Sequence, residues 1–556
     1  MRTRRLWMLT VAAGVALSTM LLAAVPASAS QRQVSIIQDS TRLISDPEGT
    51  LSTFRALGAS MVRVIVVWAQ VAPASRARTP PSGFDAADPA DYPEGNWAPY
   101  DKIVRIAAAD GIAVDFTLSG GAPRWAEGPG TPTAALDNPF WAWRPSAADF
   151  GQFVRAVGER YSGTYVPPGQ TEPLPRVRFW AVWNEPNFGE DLGPQAVNGS
   201  TVSVAPGMYR NLVGQAWNAL QATGHGADTI LIGEFAPLGL SGPATPGRPG
   251  GWPGDFGQTK PLLFLRTLYC VDLAYRELRG AAARAVGCPV TAAASRRFRA
   301  ANPGLFDATG LADHPYPDNL PPTREASHDP NIASFPRLPN LEHALDRAQQ
   351  AYGAHRRLPI YNTEYGYITR PPNTASYVSP ATAAYYINWA EYLSWKQPRI
   401  ASTMQYLLYD PPPYAPAPGD GGFTSGLLFA GGRPKPAYGA YRLPLYLPVT
   451  SASRGRSLEV WGCVRPARYA ILDTGQPQTA TIEFAAGPLP GSKSTGRFAP
   501  VGSVTVADPT NCYFDVRLRF PGSGTVRLAY SYPAGDPLLG PAGTTVYSRT
   551  VAITLR

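Results

Sequence analysis

The chain has 556 residues, 44% of them hydrophobic and 16% charged, enough for roughly two to four domains with substantial cores, so intrinsic disorder is excluded as its main state. Its 59 prolines and 54 glycines follow no collagen-like period and mark turn-rich loops rather than a fibrous rod. The formal charge of +9 falls to +6 without Arg2, Arg4 and Arg5, and only five lysines accompany arginines scattered singly along the chain, a pattern that argues against nucleic acid as a partner.

Residues 1–29 have the three parts of a secretory signal peptide: basic Arg2 to Arg5, an apolar stretch from Leu6 to Val25, and the small-residue triplet Ala27-Ser28-Ala29. The expectation is cleavage before Ser30 and a secreted, extracellular product. A retained membrane anchor is the rival reading, because Leu6 to Val25 is just long enough to span a bilayer, but Gly14, Ser18 and several alanines weaken it. No later stretch approaches a membrane span, so no membrane association is expected after signal cleavage.

From about residue 33 to 440, short β-branched runs alternate with amphipathic helical patterns, the mark of repeated βα units around a parallel sheet. Eight strands are predicted in order: Val34 to Ile37, Met61 to Val67, Ile112 to Leu118, Val177 to Trp183, Thr229 to Phe235, Gly310 to His314, Pro359 to Thr363 and Ser402 to Leu408. Asp46 with Pro47 opens the first helix and Ser379 with Pro380 the seventh, in the cap-then-proline order that helix starts favour. Ser146 with Asp149 resembles a capping box for the third, whose Phe150, Phe153, Val154, Val157 and Tyr161 recur on one face and are assigned to the core.

This order fits a (β/α)8 TIM barrel over residues 30–441, with the length beyond ~250 residues carried by loops. Ala74 to Pro99, Leu238 to Lys260 and Asp410 to Gly422, dense in proline, glycine and aromatics, are expected at the rim above the strands' C-terminal ends. A doubly wound open sheet is the structural alternative, but no Gly-rich phosphate loop follows the first strand. Residues 442–556 change to short alternating strands at Ser457 to Val460, Ala480 to Phe484, Phe514 to Phe520, Thr525 to Tyr530 and Thr545 to Leu555, with no helical pattern. They are expected to form an all-β sandwich (Ig-like) domain that packs on the barrel.

The four cysteines allow three connectivities; sequence proximity and the domain division favour Cys270 with Cys288 and Cys463 with Cys512. Neither pair has zinc-site spacing.

Two glutamates follow apolar strands and sit among polar and aromatic neighbours: Glu185 in Trp183-Asn184-Glu185-Pro186-Asn187, and Glu364 in Asn362-Thr363-Glu364-Tyr365-Gly366. Strands four and seven face one another across the mouth of an eight-stranded barrel, so the two carboxyl groups are expected on opposite sides of one pocket. Such a pair suits glycosidic bond cleavage, where one carboxyl gives a proton to the leaving oxygen and the other attacks or stabilises an oxocarbenium-like centre.

These two segments resemble the Asn-Glu-Pro motif and the seventh-strand nucleophile segment of the clan A glycoside hydrolases, with partial likeness to families 5 and 39. The resemblance covers about 400 residues in barrel order, with some 30 positions carrying it strongly. It implies a retaining double displacement with Glu185 as acid/base, Glu364 as nucleophile and Asn184 on the sugar 2-hydroxyl, needing neither metal nor organic cofactor, with a poly- or oligosaccharide as partner. Arg63, in Met61-Val-Arg-Val-Ile-Val-Val-Trp68, resembles the arginine that supports the nucleophile in that clan. In Asp313-His314-Pro315-Tyr316, the analogue of His314 contacts substrate and that of Tyr316 hydrogen-bonds the nucleophile. Gly121-Ala-Pro-Arg-Trp125 resembles a cleft-wall segment, which makes Trp68, Trp125, Trp183 and Phe188 candidate platforms for sugar faces.

The chain departs from that pattern in two places. Glu185 and Glu364 stand 179 residues apart, with the excess mainly in Leu238 to Pro303, and strand eight offers Gln405, Tyr406 and Tyr409 where many relatives have a tryptophan. Two rivals stand beside hydrolysis: a catalytically inactive carbohydrate-binding or cell-wall protein on the same barrel, and a transglycosylase.

Overall fold

The structure, a computed structural model, describes residues 30, 32–132, 141–197, 200–240, 254–325, 327–412, 422–487, 496–533 and 543–556. The expected signal peptide, residues 1–29, and most of two expected rim loops, 241–253 and 413–421, lie outside the described residues. Among the described residues no helix is long and apolar enough to cross a membrane.

Eight parallel strands form one sheet: β1 (Val34–Gln38), β2 (Met61–Val67), β3 (Ala113–Ser119), β4 (Phe179–Val182), β5 (Thr229–Phe235), β6 (Gly310–Asp313), β7 (Ile360–Asn362) and β8 (Ser402–Tyr406). Each lies within two residues of its expected bounds. Every strand from β1 to β7 pairs with its successor or predecessor, and β1 also pairs with β8. A parallel bridge between Ile360 and Ile400 brings β7 to the foot of β8, so the ring is nearly closed.

Strand alternation separates two layers. Val62, Val64 and Val66 of β2 and Ile230 and Ile232 of β5 join the main core with the apolar faces of the helices. Ala181, Leu231 and Ala312 form a separate small cluster with Tyr361. Arg63 and Glu234 stand on strands that do not pair, yet their side chains meet at 2.6 Å, so both must lie inside the ring.

The helix starts follow the sequence. Asp46 caps helix Pro47–Leu57 by accepting from the Gly49 amide at 3.1 Å, Ser379 caps Pro380–Trp395 by accepting from the Thr382 amide at 3.1 Å, and Ser146 accepts from the Asp149 amide at 3.3 Å. Phe150, Phe153, Val154, Val157 and Tyr161 are all fully buried. Replacing Asp46 with alanine removes a cap partner and is expected to lower unfolding free energy by about 1 kcal/mol, read from the urea midpoint at unchanged m.

After the barrel come two sheets. One joins β10 (Ser451–Ala452), β12 (Gln478–Ala486), β13 (Ala499–Val506), β15 (Gly524–Ser531), β16 (Thr545–Tyr547) and β17 (Val551–Leu555), and the other β9 (Leu445–Tyr446), β11 (Leu458–Cys463) and β14 (Tyr513–Leu518). The expectation that helical structure stops after residue 441 is corrected by helix Ala467–Thr474. It buries Ala467, Tyr469, Ala470 and Ile471 and ends on Gly475, whose φ of +67° is the left-handed conformation of a helix C-terminus. The expected strand Thr545 to Leu555 is broken into β16 and β17.

This unit packs against the end of the barrel where the strands begin. Tyr469 donates to the Ala59 carbonyl ahead of β2, and Arg465 donates to Ser35 Oγ on β1 at 2.8 Å while gripping both oxygens of Glu391. Disulfides join Cys270 to Cys288 and Cys463 to Cys512, the latter tying the end of β11 to the residue before β14.

Candidate active site

The strands' C-terminal ends carry the chemistry-bearing side chains. Beyond β4, Trp183 and Glu185 have φ of +68° and +35°, left-handed values that non-glycine residues adopt only where the surroundings hold them. Three bonds do the holding: the Trp183 amide donates to the Leu118 carbonyl at 2.8 Å, the Asn184 amide to Ser119 Oγ at 3.0 Å, and Trp183 Nε1 to the Asp191 carbonyl at 3.1 Å. Glu185 is thereby turned toward the axis. From the far side, Glu364 follows β7 by two residues, and the Thr363 amide before it donates to the Asp313 carbonyl at 3.1 Å.

One oxygen of Glu185, one of Glu364 and a ring nitrogen of His314 all lie within 4.8 Å of one another. Arg63, fully buried, donates to Glu364 Oε1 at 2.6 Å, to Gln38 Oε1 at 2.7 Å, to Asn184 Oδ1 at 2.9 Å and to Glu234 Oε2 at 2.6 Å. Tyr316 Oη donates to Glu364 Oε2 at 2.9 Å. Above them opens a cavity of about 610 Å³, lined by Glu185 and Glu364 together with Tyr316, Tyr406, Phe423 and Gln258.

His314 faces carboxylates with both ring nitrogens: Nδ1 is 2.9 Å from Glu185 Oε1 and 3.7 Å from Glu364 Oε2, and Nε2 is 2.7 Å from Glu234 Oε2. Burial alone favours the neutral ring, but the Glu364 charge and the hydrogen bonds to Glu185 and Glu234 outweigh it and carry its pKa up to about 10. Both ring nitrogens thus have a carboxylate oxygen to donate to, which is the arrangement that suits an imidazolium. Burial opposes the charge of Glu234 as well, yet Arg63 and His314 prevail and hold its carboxyl below the ordinary range. Tyr316 is raised well above the phenol range by burial and then by the Glu364 charge, so it stays a donor.

Solved structures resembling this chain include glycoside hydrolases. They include a family 39 glycoside hydrolase from the gut symbiont Bacteroides cellulosilyticus WH2, at 15% identity over 88% of this chain and 80% of that one, with a TM-score of 0.46. A glucosidase from Croceicoccus marinus has 12% identity over 89% and 94%, with a TM-score of 0.47. A family 1 β-glucosidase from Thermotoga maritima has 15% identity over 71% and 84%, with a TM-score of 0.41. No family model and no curated protein matches the chain.

Six of the sequence candidates, Arg63, Asn184, Glu185, His314, Tyr316 and Glu364, meet in this one network. The tryptophan platforms need correction. Trp68 and Trp183 are both 0% exposed and have no face to offer a sugar. Trp68 stacks on Phe153, and Trp183 meets Phe150 edge-on. Trp125 is half-buried, edge-on to Trp68 and Phe84, with Nε1 donating to the Pro73 carbonyl; neither it nor Phe188 is among the described residues lining the cavity.

The aromatic walls are instead Tyr316, Tyr377, Tyr406 and Phe423, the last packing edge-on against Tyr316 and Tyr406 at 5.3 and 5.2 Å. On β8, Gln405 is spent on backbone carbonyls, and beyond the strand Tyr409 lies under the Arg42 guanidinium. Sequence reasoning missed Glu234 and Asp191. Asp191 accepts from Asn184 Nδ2 at 3.1 Å, and burial followed by the Glu185 charge pushes its carboxyl well above the usual range.

Proposed function

We propose that the protein is a secreted retaining glycoside hydrolase that cleaves O-glycosidic bonds, of β configuration, in a poly- or oligosaccharide. The observation that carries this reading is the approach of Glu185 and Glu364 oxygens to within 4.8 Å at the floor of a cavity. Carboxyl pairs that form a glycosyl-enzyme stand about 5 to 5.5 Å apart, whereas inverting pairs leave ~6.5 to 9.5 Å for a water.

Glu364, held by hydrogen bonds from Arg63 and Tyr316, attacks the anomeric carbon while Glu185 gives its proton to the leaving oxygen. Glu185 then takes a proton from the incoming water, whose oxygen displaces Glu364 from the ester. Asn184, held between Arg63 and Asp191, binds the sugar 2-hydroxyl in this reading, a role that its motif supports. Export of the mature 30–556 chain is supported by the signal-like residues 1–29 and by two disulfides, which persist in oxidising compartments.

The cavity also bears on the sugar. Its described lining holds three carboxylates, Glu185, Glu364 and Asp318, several aromatics, and no lysine or arginine. Among the described residues a uronic acid seated there meets no lysine or arginine, so the reading favours a neutral glycone. The test is release of 4-nitrophenol from the β-glucoside, β-galactoside, β-mannoside, β-xyloside and β-glucuronide. At least one neutral glycoside should exceed the glucuronide by about a hundredfold in kcat/KM; preference for the glucuronide overturns the neutral-glycone reading, and silence across this panel and a panel of β-linked polysaccharides overturns the hydrolase.

A further inference from the structure

Glu234 has no place in the alternation of its own strand. Along Thr229-Ile-Leu-Ile-Gly-Glu-Phe235, Ile230 and Ile232 belong to the outer core and Leu231 to the lumen, so position 234 falls on the outer face. The pairing of β5 with β6, however, slips between Gly233 and Phe235, and Glu234 has a φ of +54°. This bulge turns one extra side chain inward, and that side chain is a carboxylate. It is 0% exposed and does not line the cavity.

Its oxygen Oε2 accepts from Arg63 Nη2 at 2.6 Å and faces His314 Nε2 at 2.7 Å. Each of those cations reaches a cavity carboxylate with its other nitrogen: Arg63 reaches Glu364, and His314 reaches Glu185. Glu234 is thus one bond removed from both.

We propose that Glu234 is a positioning residue that keeps His314 doubly protonated, so that one imidazolium stands between Glu185 and Glu364 and serves whichever of the two is ionised. The inference rests on the glycosidase reading and deepens it. A retaining double displacement starts with the transferable proton on its acid, Glu185, and a charge on its nucleophile, Glu364; with Arg63, His314 and Glu234 also charged, two positive charges then face two negative ones. When the Glu364 oxygen bonds to the anomeric carbon, the bond to the leaving oxygen breaks and that oxygen takes the Glu185 proton. Glu364 is then a neutral ester and Glu185 a carboxylate, and the balance of two and two is unchanged.

Water restores the start by giving a proton to Glu185 and its oxygen to the anomeric carbon, while the ester bond breaks to return the Glu364 carboxylate. The negative charge shuttles across His314, which is 2.9 Å from one carboxylate and 3.7 Å from the other. The groups facing His314 are Glu185 from the end of β4, Glu234 from β5 and Glu364 from the end of β7. Asp313 and Asp191 also face His314, and burial pushes both carboxyl groups upward while His314 pulls the other way.

The test is the ring-nitrogen NMR titration of His314 in the full chain labelled at histidine, assigned with His314→Asn and repeated in Glu234→Gln. The wild-type ring should stay doubly protonated past pH 8, and the variant should lose its proton at least two pH units lower. On an aryl glycoside the variant should lose about a hundredfold in kcat with KM within about threefold, because Glu234 touches no substrate. A wild-type His314 that titrates below pH 8 overturns the inference, a measurement that stands even where the variant does not fold. Unchanged titration in Glu234→Gln, or a loss confined to KM, does the same. If no glycoside is hydrolysed but His314 titrates as expected, the catalytic reading falls and the role of Glu234 on His314 remains.

Discussion

Glu364→Gln is expected to lower kcat/KM on aryl β-glycosides by about four orders of magnitude, with no burst of released phenol and no covalent sugar adduct by mass spectrometry. An amide is nearly the same size as the carboxylate but cannot attack carbon. It also disturbs the site: Oε1 and Oε2 of Glu364 accept from Arg63 and Tyr316, so whichever oxygen becomes the NH2 group now faces a donor. Glu185→Ala should behave differently. With a 2,4-dinitrophenolate leaving group, which needs no proton, the first step should survive and the glycosyl-enzyme accumulate, while turnover falls about a thousandfold for want of a base. Two variants with different rate-limiting steps separate the roles of the two carboxylates, and full activity in either defeats the assignment.

The barrel was legible because its signal is local. Most strands are short apolar runs, helices Pro47–Leu57, Ala147–Arg160 and Pro380–Trp395 begin with a side-chain cap, and the parallel order then follows from βα repetition. Arg63, Glu185, His314 and Glu364 were legible for a related reason: a charged residue inside or just beyond an apolar strand has few structural uses. The misses share one cause, since they depend on packing between segments far apart in sequence. Trp68 and Trp183 are as aromatic as any sugar platform, and only the placement of helix Ala147–Arg160, which brings Phe150 and Phe153 against them, makes them core. Phe423 enters the cavity from beyond β8 with no strand pattern to announce it. For Glu234 the alternation rule gave the wrong face, because a one-residue slip in pairing reverses every assignment after it. A glycine followed by a carboxylate inside an apolar run was the available hint, since glycine in a strand often accompanies a bulge.

Arg63→Met should affect stability and activity together. The guanidinium is 0% exposed and is shared by Gln38, Asn184, Glu234 and Glu364. A third carboxyl, Asp115 on β3, is already pushed up to about 7 by burial and by the Glu234 charge, with Arg63 pulling the other way. Methionine fills most of the volume but takes the guanidinium from Glu234 and Glu364 and leaves His314 as the cation they share, and breaking one side of a buried ion network costs about 3 to 5 kcal/mol. Lysine is no substitute, because one ammonium cannot present the planar pair of N–H groups that reaches both carboxylates at once.

The pH dependence has a definite sign. Glu234 is held below its ordinary value of 4.5 in the folded wild type. Its stabilising contribution is therefore present above that value and lost as pH falls through the lower folded one. Without Arg63 the arginine's share of that contribution is lost while His314 remains, so the deficit in unfolding free energy should be largest near pH 7 and shrink below pH 4.5. Urea unfolding of both proteins at the two ends of that range measures it, and a deficit that grows toward acid places the stabilisation elsewhere. Activity should fall further than the folded fraction accounts for, since Glu364 loses the guanidinium that holds its Oε1 in place for attack. A folded Arg63→Met protein that keeps wild-type turnover at pH 7 separates the arginine from the nucleophile and leaves it a purely structural part of the barrel.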